Sequence, residues 1–516
     1  MGRFRGNIAR GLGAGLLLVL LAGCEGLHPY RTFRPEAGLI CDPTVEGGFP
    51  ERCEKQMHER GRDYDLFFAE FTDQGLQYPS QNPEWGEAAY QIDRTLEGLN
   101  EIAGRHKGVS IITFVHGWQH NASHDDGNVK SFRALLRSAA ALEEARGSGY
   151  RVVGVYVGWR GRSLKGGLLS NLSFWSRKAT ALRVAQGSPR ELFNRLRGFK
   201  CAQNSTQNSA QSRAPDRTGD LEACTGSADG SRPKVRLLMI GHSFGGWILY
   251  NAVAGSLIES LTHASDTGGS NGVHTRYADM VVLLNPAFEA SRYTPLHRVA
   301  VSSHAGYRRY QAPLLVSVTS GADRATRWAF PAGRFINTLL EREAGDEERV
   351  ATKYTMGHMT DGDETNYITH TLTTTRVIPA GCQGWEPLGG ILDAKRREAQ
   401  AQTNLKAEEK NTDHFPGTRR ALEKGWQRTF CGGAQLAHTN HDPNSVIWNV
   451  HTDETIMGGH NDIENPKLID FLRQLYHDAL RYPHLAVSDA GSPAPPAPGV
   501  PAAPPGAAIG GTTARR

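Results

Sequence analysis

Several motifs that would point to other protein classes are missing from this 516-residue chain. It contains no two cysteines separated by two residues, the spacing that commonly opens a cysteine-rich metal site. No glycine-rich turn ends in Gly-Lys-Ser or Gly-Lys-Thr, so the sequence excludes a P-loop for nucleotide phosphates. No internal repeat of about 20–50 residues, the signature of solenoids and propellers, is visible.

A large excess of basic charge is also lacking. The chain has 58 Lys and Arg against 53 Asp and Glu. Residues 1–23 hold three of the arginines, so the remainder carries 55 basic and 53 acidic residues (58 − 3 = 55), a net charge of +2. This near balance gives no basis for nucleic-acid binding.

Residues 1–24 are typical of an export signal. Three arginines precede the apolar run 12–21, which is shorter than the roughly 20 residues that a membrane-spanning helix needs. The run ends in Leu-Ala-Gly-Cys, which resembles the lipobox of bacterial lipoproteins. That resemblance implies cleavage before Cys24, lipidation of Cys24 and, with Glu25 next, the outer membrane of a Gram-negative cell envelope. The alternative is an ordinary secretory signal with a chance cysteine.

The six cysteines that remain are expected to form disulfides, because an exported chain meets oxidising conditions. Six cysteines allow fifteen connectivities. Proximity along the sequence favours the pairs Cys41–Cys53, Cys201–Cys224 and Cys382–Cys431.

Short apolar runs alternate with stretches of helical periodicity through most of the chain. Strands are predicted at 110–115, 152–157, 235–240, 279–284, 313–318 and 446–450, and helices at 129–145, 243–260 and 467–480. Such alternation predicts an α/β fold with a mostly parallel sheet and helices on both faces.

The chain is expected to divide into four parts. A signal peptide at 1–23 precedes an N-terminal extension at 24–107, which holds one strand and one helix. The main domain covers 108–485, with insertions at about 160–232 and 383–440. The tail 486–516 is rich in proline and alanine and is predicted to be disordered.

Ser243 is the candidate nucleophile. It lies in Gly-His-Ser-Phe-Gly-Gly, between the predicted strand 235–240 and the helix that follows. A second Gly-x-Ser-x-Gly, at 268–272, has loop composition, so context separates the two in a chain with 58 glycines. A serine on a tight strand-to-helix turn is held in a strained conformation beside the backbone amides of a helix start.

An activated serine needs a base, and the base needs an acid to orient it. Asp323 is the predicted acid because it follows the strand 313–318, and sites in open parallel sheets collect at the carboxyl ends of strands. Glu289, after the preceding strand, is the main alternative. Three further candidates remain open: Asp361, Asp363 and Asp453.

His460 is the predicted base. It lies in Gly-Gly-His-Asn-Asp, on a loop between the last predicted strand and the last predicted helix. His358 is the first alternative, and His451, at the end of the last strand, is the second.

The loop after strand 110–115 is predicted to supply part of an oxyanion hole. Gly117 allows the backbone to approach a substrate, and the amide of Trp118 would join that of Phe244 as the two donors. The spacing of His116, His120 and His124, followed by two aspartates, would suit a metal on one helix. Gly117 breaks any such helix, so the sequence predicts no metal there.

Four segments in this order, Phe-Val-His-Gly-Trp, Gly-His-Ser-Phe-Gly-Gly, Thr-Ser-Gly-Ala-Asp and Gly-Gly-His-Asn-Asp, resemble the α/β-hydrolase superfamily. The resemblance covers roughly residues 108–480. It implies the α/β-hydrolase fold with a cap formed by the segment after Trp159, and a serine esterase or lipase with the triad Ser243, Asp323 and His460. It also implies an acyl-enzyme, no cofactor, and a small-molecule or lipid ester as substrate. The alternative is a non-catalytic envelope lipoprotein that uses the same scaffold for binding.

Overall fold

The computed structural model describes most of the chain between residues 28 and 481. The described residues are 28–34, 36, 38–42, 49–78, 90–161, 174–208, 233–266, 276–302, 312–331, 342–359, 366–411, 426–439 and 446–481. The predicted signal peptide, the lipidation site Cys24 and the predicted tail 486–516 lie outside them.

The described strands form a single 11-stranded sheet in the order β1-β2-β4-β3-β5-β6-β7-β11-β8-β10-β9. Neighbouring strands run parallel from β2 through to β8, and the pairs β1–β2, β8–β10 and β10–β9 are antiparallel. The strands are β1 (His58–Arg60), β2 (Tyr64–Phe71), β3 (Gly108–Val115), β4 (Tyr150–Trp159), β5 (Val235–His242), β6 (Met280–Leu284), β7 (Leu315–Ser320), β8 (His370–Thr374), β9 (Gln427–Thr429), β10 (Ala434–His438) and β11 (Ile447–Thr452).

Helices cover both faces of this sheet. The helices are α1 (Gln91–Arg105), α2 (Gly127–Ala145), α3 (Phe174–Gln186), α4 (Pro189–Asn208), α5 (Phe244–Asp266), α6 (Ala290–Ser302), α7 (Asp346–Lys353), α8 (Ala394–Lys410) and α9 (Pro466–Arg481). Apolar residues of α1, α3, α4, α5 and α6 form one core cluster with the sheet, and those of α2 and α9 form the other. The prediction of an α/β-hydrolase-like fold, with a mostly parallel sheet between two helical layers, is confirmed.

Strand β3 shows why the sheet is buried on both sides. Val109, Ile111 and Val115 belong to one core cluster, whereas Ile112 and Phe114 belong to the other. Successive side chains of a strand point to opposite faces, so a strand covered on both faces needs apolar residues at nearly every position.

The predicted N-terminal extension is part of the same sheet. Strand β2 pairs with β4 over eight positions, from Tyr64 opposite Val152 to Phe71 opposite Trp159. The predicted boundary at residue 107 therefore does not separate two units among the described residues. Within the predicted insertion 383–440, β9 and β10 extend the sheet beyond β8, and α8 packs against α2 through Ala401.

Two of the predicted disulfides are present. Cys41 is bonded to Cys53, and Cys382 is bonded to Cys431. Cys201 lies in α4, but its predicted partner Cys224 lies outside the described residues. Within the described part of the chain, no helix has the length and apolar character that crossing a bilayer requires.

Candidate active site

Ser243 occupies the turn between β5 and α5. Its φ of 55° is in the left-handed region, which is strained for a residue with a side chain. The surrounding backbone holds it there: the Ser243 N–H donates to the Leu284 carbonyl at 2.9 Å, and the Ser243 carbonyl accepts from the Ala287 N–H at 3.2 Å. The serine is therefore fixed by the end of β6 as well as by its own strand and helix.

Two glycines allow this turn to form. A Cβ on Gly241 would lie 2.7 Å from the carbonyl oxygen of Gly245, and a Cβ on Gly245 would lie 2.1 Å from that of Val115. Both positions face backbone that cannot move aside, so side chains there would displace the turn. This is the steric reason for the Gly-x-Ser-x-Gly spacing.

The structure brings the three residues of the predicted triad together. Nε2 of His460 lies 2.7 Å from Oγ of Ser243, and Nδ1 of His460 lies 2.7 Å from Oδ2 of Asp323. A neutral imidazole that donates from Nδ1 to the carboxylate leaves Nε2 free to accept the serine proton.

Asp323 is buried and fully hydrogen-bonded. Its Oδ1 accepts from the backbone N–H groups of Ala325 at 2.9 Å and Thr326 at 3.1 Å, and its Oδ2 accepts from the Thr326 hydroxyl at 2.5 Å. Burial alone would raise the pKa of this carboxyl group, but His460 and the hydrogen bonds of Thr326 hold the pKa below its usual value. The carboxylate is therefore ionised at neutral pH.

The loop that carries His460 is held by the ends of three neighbouring strands. The His460 carbonyl accepts from Nε2 of His242 at 2.8 Å and from Nδ2 of Asn285 at 2.9 Å. The Ser320 hydroxyl donates to the Met457 carbonyl at 2.6 Å. Burial, and then the neighbouring His460, lower the pKa of His242 to about 3, so its ring is a neutral donor.

Sequence reasoning missed His242 and Asn285. Asn285 directly follows β6, so the rule of strand carboxyl ends that selected Asp323 could have identified it. His242 lies inside the nucleophile motif, but its role depends on a backbone carbonyl 218 positions away, which no local pattern indicates.

The predicted oxyanion loop lies directly against the serine. A Cβ on Gly117 would lie 2.7 Å from the Cβ of Ser243, so only glycine allows the two segments to approach this closely. Among the described residues, no acceptor takes a hydrogen bond from the backbone N–H of Trp118 or Phe244. Neither predicted donor is thus engaged by another group of the described residues.

An aromatic wall stands beside this loop. The ring of Phe174, the first residue of α3, lies 4.9 Å from that of Phe244 and 5.3 Å from that of Trp118 between ring centroids. Phe244 is buried, whereas Trp118 and Phe174 are half-buried and pack against the core that Phe244 belongs to. Residues 174–186 of the predicted cap segment therefore pack next to the nucleophile turn.

The alternative acids are engaged elsewhere or are not described. Glu289 is buried and forms an ion pair with Lys178, whose ammonium lies 4.4 Å from the centroid of the Phe330 ring. Asp453 accepts from the N–H and hydroxyl of Thr455. Two candidates lie outside the described residues: Asp361 and Asp363.

The alternative bases contact other groups. Nε2 of His358 lies 2.9 Å from Oγ1 of Thr326, and because that hydroxyl donates to Asp323, His358 is the donor. Burial lowers the pKa of His358 to about 4, so the ring is neutral at pH 7. Nδ1 of His451 lies 3.1 Å from the carbonyl of Gly357. His358 thus contacts Asp323 indirectly, through Thr326.

The three histidines at 116, 120 and 124 do not converge on one point. His116 is buried between the Gly117 carbonyl and the Trp159 N–H, His120 contacts Asp126, and His124 contacts Glu54. In the part of the chain that the structure describes, no three His, Cys, Asp or Glu side chains are arranged to hold a metal ion.

A cleft of about 880 Å³ opens beside His460. It lies where β7, β8 and β11 end, and its walls include Thr371, His451 and Glu454. Charged groups of both signs line it, with Arg324 and Arg327 on the loop after β7. The cleft therefore borders His460 on the side of β7, β11 and β8, and Trp118, Phe174 and Phe244 do not line it.

Comparison with known proteins identifies no family for this chain. No family model matches the chain, and no curated protein matches its sequence. Among solved structures, the chain is similar to phospholipase PlaB from Legionella pneumophila, with 14% identity over 52% of this chain and 48% of that one and a TM-score of 0.19. A structure of PlaB in complex with thio-NAD gives 12% identity over 64% and 67%, with a TM-score of 0.18.

The chain thus spans about half of the first of these structures, 48% of its length. Likeness at these TM-scores supports no conclusion about activity or family. The fold assignment depends instead on the strand order and the parallel register described above.

Proposed function

We propose that this chain is a lipid-anchored serine hydrolase that cleaves carboxylic esters through an acyl-enzyme. The observation that carries the proposal is the continuous contact from Ser243 through His460 to Asp323, with both distances at 2.7 Å. A buried serine in a strained turn, a base and an ionised acid in this arrangement are what acyl transfer requires.

In the proposed reaction, His460 Nε2 takes the Ser243 proton as Oγ attacks the acyl carbon. The imidazolium that forms is stabilised by Asp323, and the oxyanion is bound by the backbone N–H groups of Phe244 and Trp118. His460 then protonates the leaving alcohol. Water cleaves the acyl-enzyme in the same way, with His460 again as the base.

The lipid anchor is proposed from the lipobox-like sequence that ends at Cys24. In this proposal, residues 1–23 are removed and the lipidated protein resides in the cell envelope, at the outer membrane. The aromatic wall of Trp118, Phe174 and Phe244 favours an apolar acyl or alkyl group on the substrate.

The test is a comparison of Ser243→Ala with a matched control, Ser256→Ala, on the same helix but away from the turn. The wild type and Ser256→Ala should bind a fluorophosphonate probe covalently and hydrolyse short-chain nitrophenyl esters. Ser243→Ala should lose labelling and lower kcat/KM on the order of 10⁴- to 10⁶-fold, with an unchanged circular dichroism spectrum. Absence of labelling in the wild type would favour the non-catalytic binding scaffold.

A further inference from the structure

The first described residues of the chain are fastened at the edge of the sheet that holds Ser243. The backbone N–H groups of Tyr30 and Arg31 donate to the carboxylate of Glu70 at 2.9 and 2.8 Å. Glu70 is the second-last residue of β2, and Arg31 Nε also donates at 2.7 Å to the carbonyl of Ala122, which follows β3. Since β2, β3 and β5 run parallel, these contacts lie at the carboxyl edge, as Ser243 does.

The buried side chain of Arg31 anchors this segment to the rest of the protein. Its guanidinium is fully buried, lies 3.7 Å from the centroid of the Phe68 ring, and donates to Glu59 at 2.7 Å. Arg133 on α2 shares the same carboxylate. A side chain held by an ion pair, a ring and a backbone carbonyl cannot leave without exposing buried charges, so the entry of the chain stays at this edge.

The entry of the chain lies only a few strands away from Ser243, and few residues separate it from Cys24. Three strand spacings separate β2 from β5 in the order β2-β4-β3-β5, which is roughly 15 Å at about 4.8 Å per spacing. Six residue steps join Cys24 to Tyr30 (30 − 24 = 6), so the chain between them spans at most about 20 Å. A lipid on Cys24 would therefore be confined to the side of the protein that carries the site.

Three exposed apolar side chains lie on the segments that meet at the entry of the chain, and we call them the edge patch: Phe33, Leu76 and Tyr90, exposed by 50, 61 and 37%. Residues adjacent to Leu76 and Tyr90 in the sequence form hydrogen bonds that hold these segments together. Gln91, next to Tyr90, donates to the Arg31 carbonyl at 2.7 Å, and Gln77, next to Leu76, accepts from Ile92 at 3.2 Å.

A basic side chain lies beside the edge patch. The Lys55 ammonium lies 5.7 Å from the centroid of the Phe33 ring. An apolar surface with a basic group beside it suits the boundary between lipid chains and phosphate headgroups.

We propose that the edge patch lies against the leaflet that holds the lipid on Cys24, and that the site hydrolyses ester lipids of that same leaflet. This inference rests on the proposed function and adds its substrate class. Ser243 Oγ bonds to the acyl carbon, the ester C–O bond breaks, and the serine proton passes through His460 to the leaving lipid alcohol. Water then splits the acyl-enzyme, releasing a fatty acid and restoring the serine hydroxyl.

The test reconstitutes the full lipidated chain in vesicles of phosphatidylethanolamine and phosphatidylglycerol. A fluorogenic acyl-ester lipid is placed either in the same vesicles or in separate ones. Hydrolysis in the same vesicles should be at least about tenfold faster, because the anchor raises the effective substrate concentration. The mature chain with Cys24→Ser should lose this advantage and still hydrolyse a short-chain nitrophenyl ester at the wild-type rate.

The patch itself is tested with two matched substitutions. Leu76→Ser should lower hydrolysis within the same vesicles by roughly three- to tenfold. Leu392→Ser is the control, because Leu392 is 68% exposed and lies at the opposite edge, where Arg397 joins its carbonyl to Asp63 just before β2. Both variants should keep the wild-type rate on the soluble ester.

The outcomes separate this inference from the function on which it rests. If Ser243 takes up the fluorophosphonate but both vesicle arrangements give equal rates, the orientation is overturned and the esterase stands. The same holds if Leu76→Ser and Leu392→Ser behave alike in the same vesicles. If the wild type neither takes up the probe nor cleaves the soluble ester, both proposals fail together.

Discussion

Nε2 of His460 lies 2.7 Å from Oγ of Ser243, although 217 positions separate the two residues in the chain. The contact depends on the backbone of the His460 loop, which His242 and Asn285 hold from the ends of β5 and β6. The predictions below concern the parts of the molecule that maintain this contact.

Asp323→Asn should lower kcat/KM by about 10⁴-fold, because an amide no longer stabilises the imidazolium or selects its tautomer. Glu289→Gln should have a different effect. It leaves the buried Lys178 ammonium without its carboxylate, so it should lower the free energy of unfolding by about 3–5 kcal/mol while the folded enzyme keeps its kcat. Urea unfolding and ester kinetics measure the two effects, and the reverse pattern would make Glu289 the acid.

Replacement of His242 should separate a hydrogen-bonding role from a packing role. His242→Leu removes the donor to the His460 carbonyl, so kcat should fall on the order of 10²-fold with little change in KM. His242→Gln keeps an N–H donor and should restore most of the activity. Equal losses in the two variants would mean that the ring acts through its volume alone.

Gly117→Ala should impair catalysis without unfolding the protein. The new methyl group would press on the Cβ of Ser243 from 2.7 Å, so the nucleophile or the Trp118 amide must shift, and kcat should fall by about 10- to 100-fold. Gly104→Ala in α1 is the control, because nothing lies within 4 Å of its added Cβ. Burst kinetics with a nitrophenyl ester would locate the loss in the acylation step, and a wild-type burst for Gly117→Ala contradicts the prediction.

The protein should lose stability as the pH falls below about 6.5. Burial lowers the pKa of His116 and His358 to about 4 and that of His242 to about 3, whereas an unfolded histidine titrates near 6.5. Between these values the unfolded chain binds more protons than the folded one, so each ring removes about 1.4 kcal/mol of stability per unit of pH. Urea unfolding at pH 7, 6 and 5 measures the slope, and His242→Gln should reduce it by about one proton.

The two described disulfides should contribute unequally. Cys382 and Cys431 are 49 positions apart and Cys41 and Cys53 are 12 apart, so loop-closure entropy predicts losses of about 4 and 3 kcal/mol when each pair is replaced by alanine. Thermal unfolding of the two double variants, each compared with the oxidised wild type, tests this order.

Much of the sheet could be predicted, because its central strands are apolar on both faces and stand out as uninterrupted runs. Each of the six strands predicted from residue 110 onward is present, with ends that differ by a few residues. Strands β8, β9 and β10 were missed. Their sequences, such as His-Thr-Leu-Thr-Thr, are short and half exposed, and only the neighbouring strand reveals them.

The positions of Asp323 and His460 could be predicted from one geometric rule, since loops at the carboxyl ends of parallel strands meet at one edge. Roles that depend on partner backbone could not. The rule covers the position of Asn285 after β6, but it does not indicate the hydrogen bond from Asn285 to the His460 carbonyl. Helix α8 is rich in charged residues, yet Arg397, Ala401 and Asn404 are buried on one side of it.

The attachment of the His460 loop to β5, β6 and β7 determines where additional segments can be inserted into the chain. The carbonyls of Met457 and His460 are held by His242, Asn285 and Ser320, all of which precede Asp323 in the chain. Additional segments can therefore be accommodated between His358 and β11, where β8, α8, β9 and β10 already lie. The same region is the natural place to splice in a reporter or a targeting domain while activity is retained.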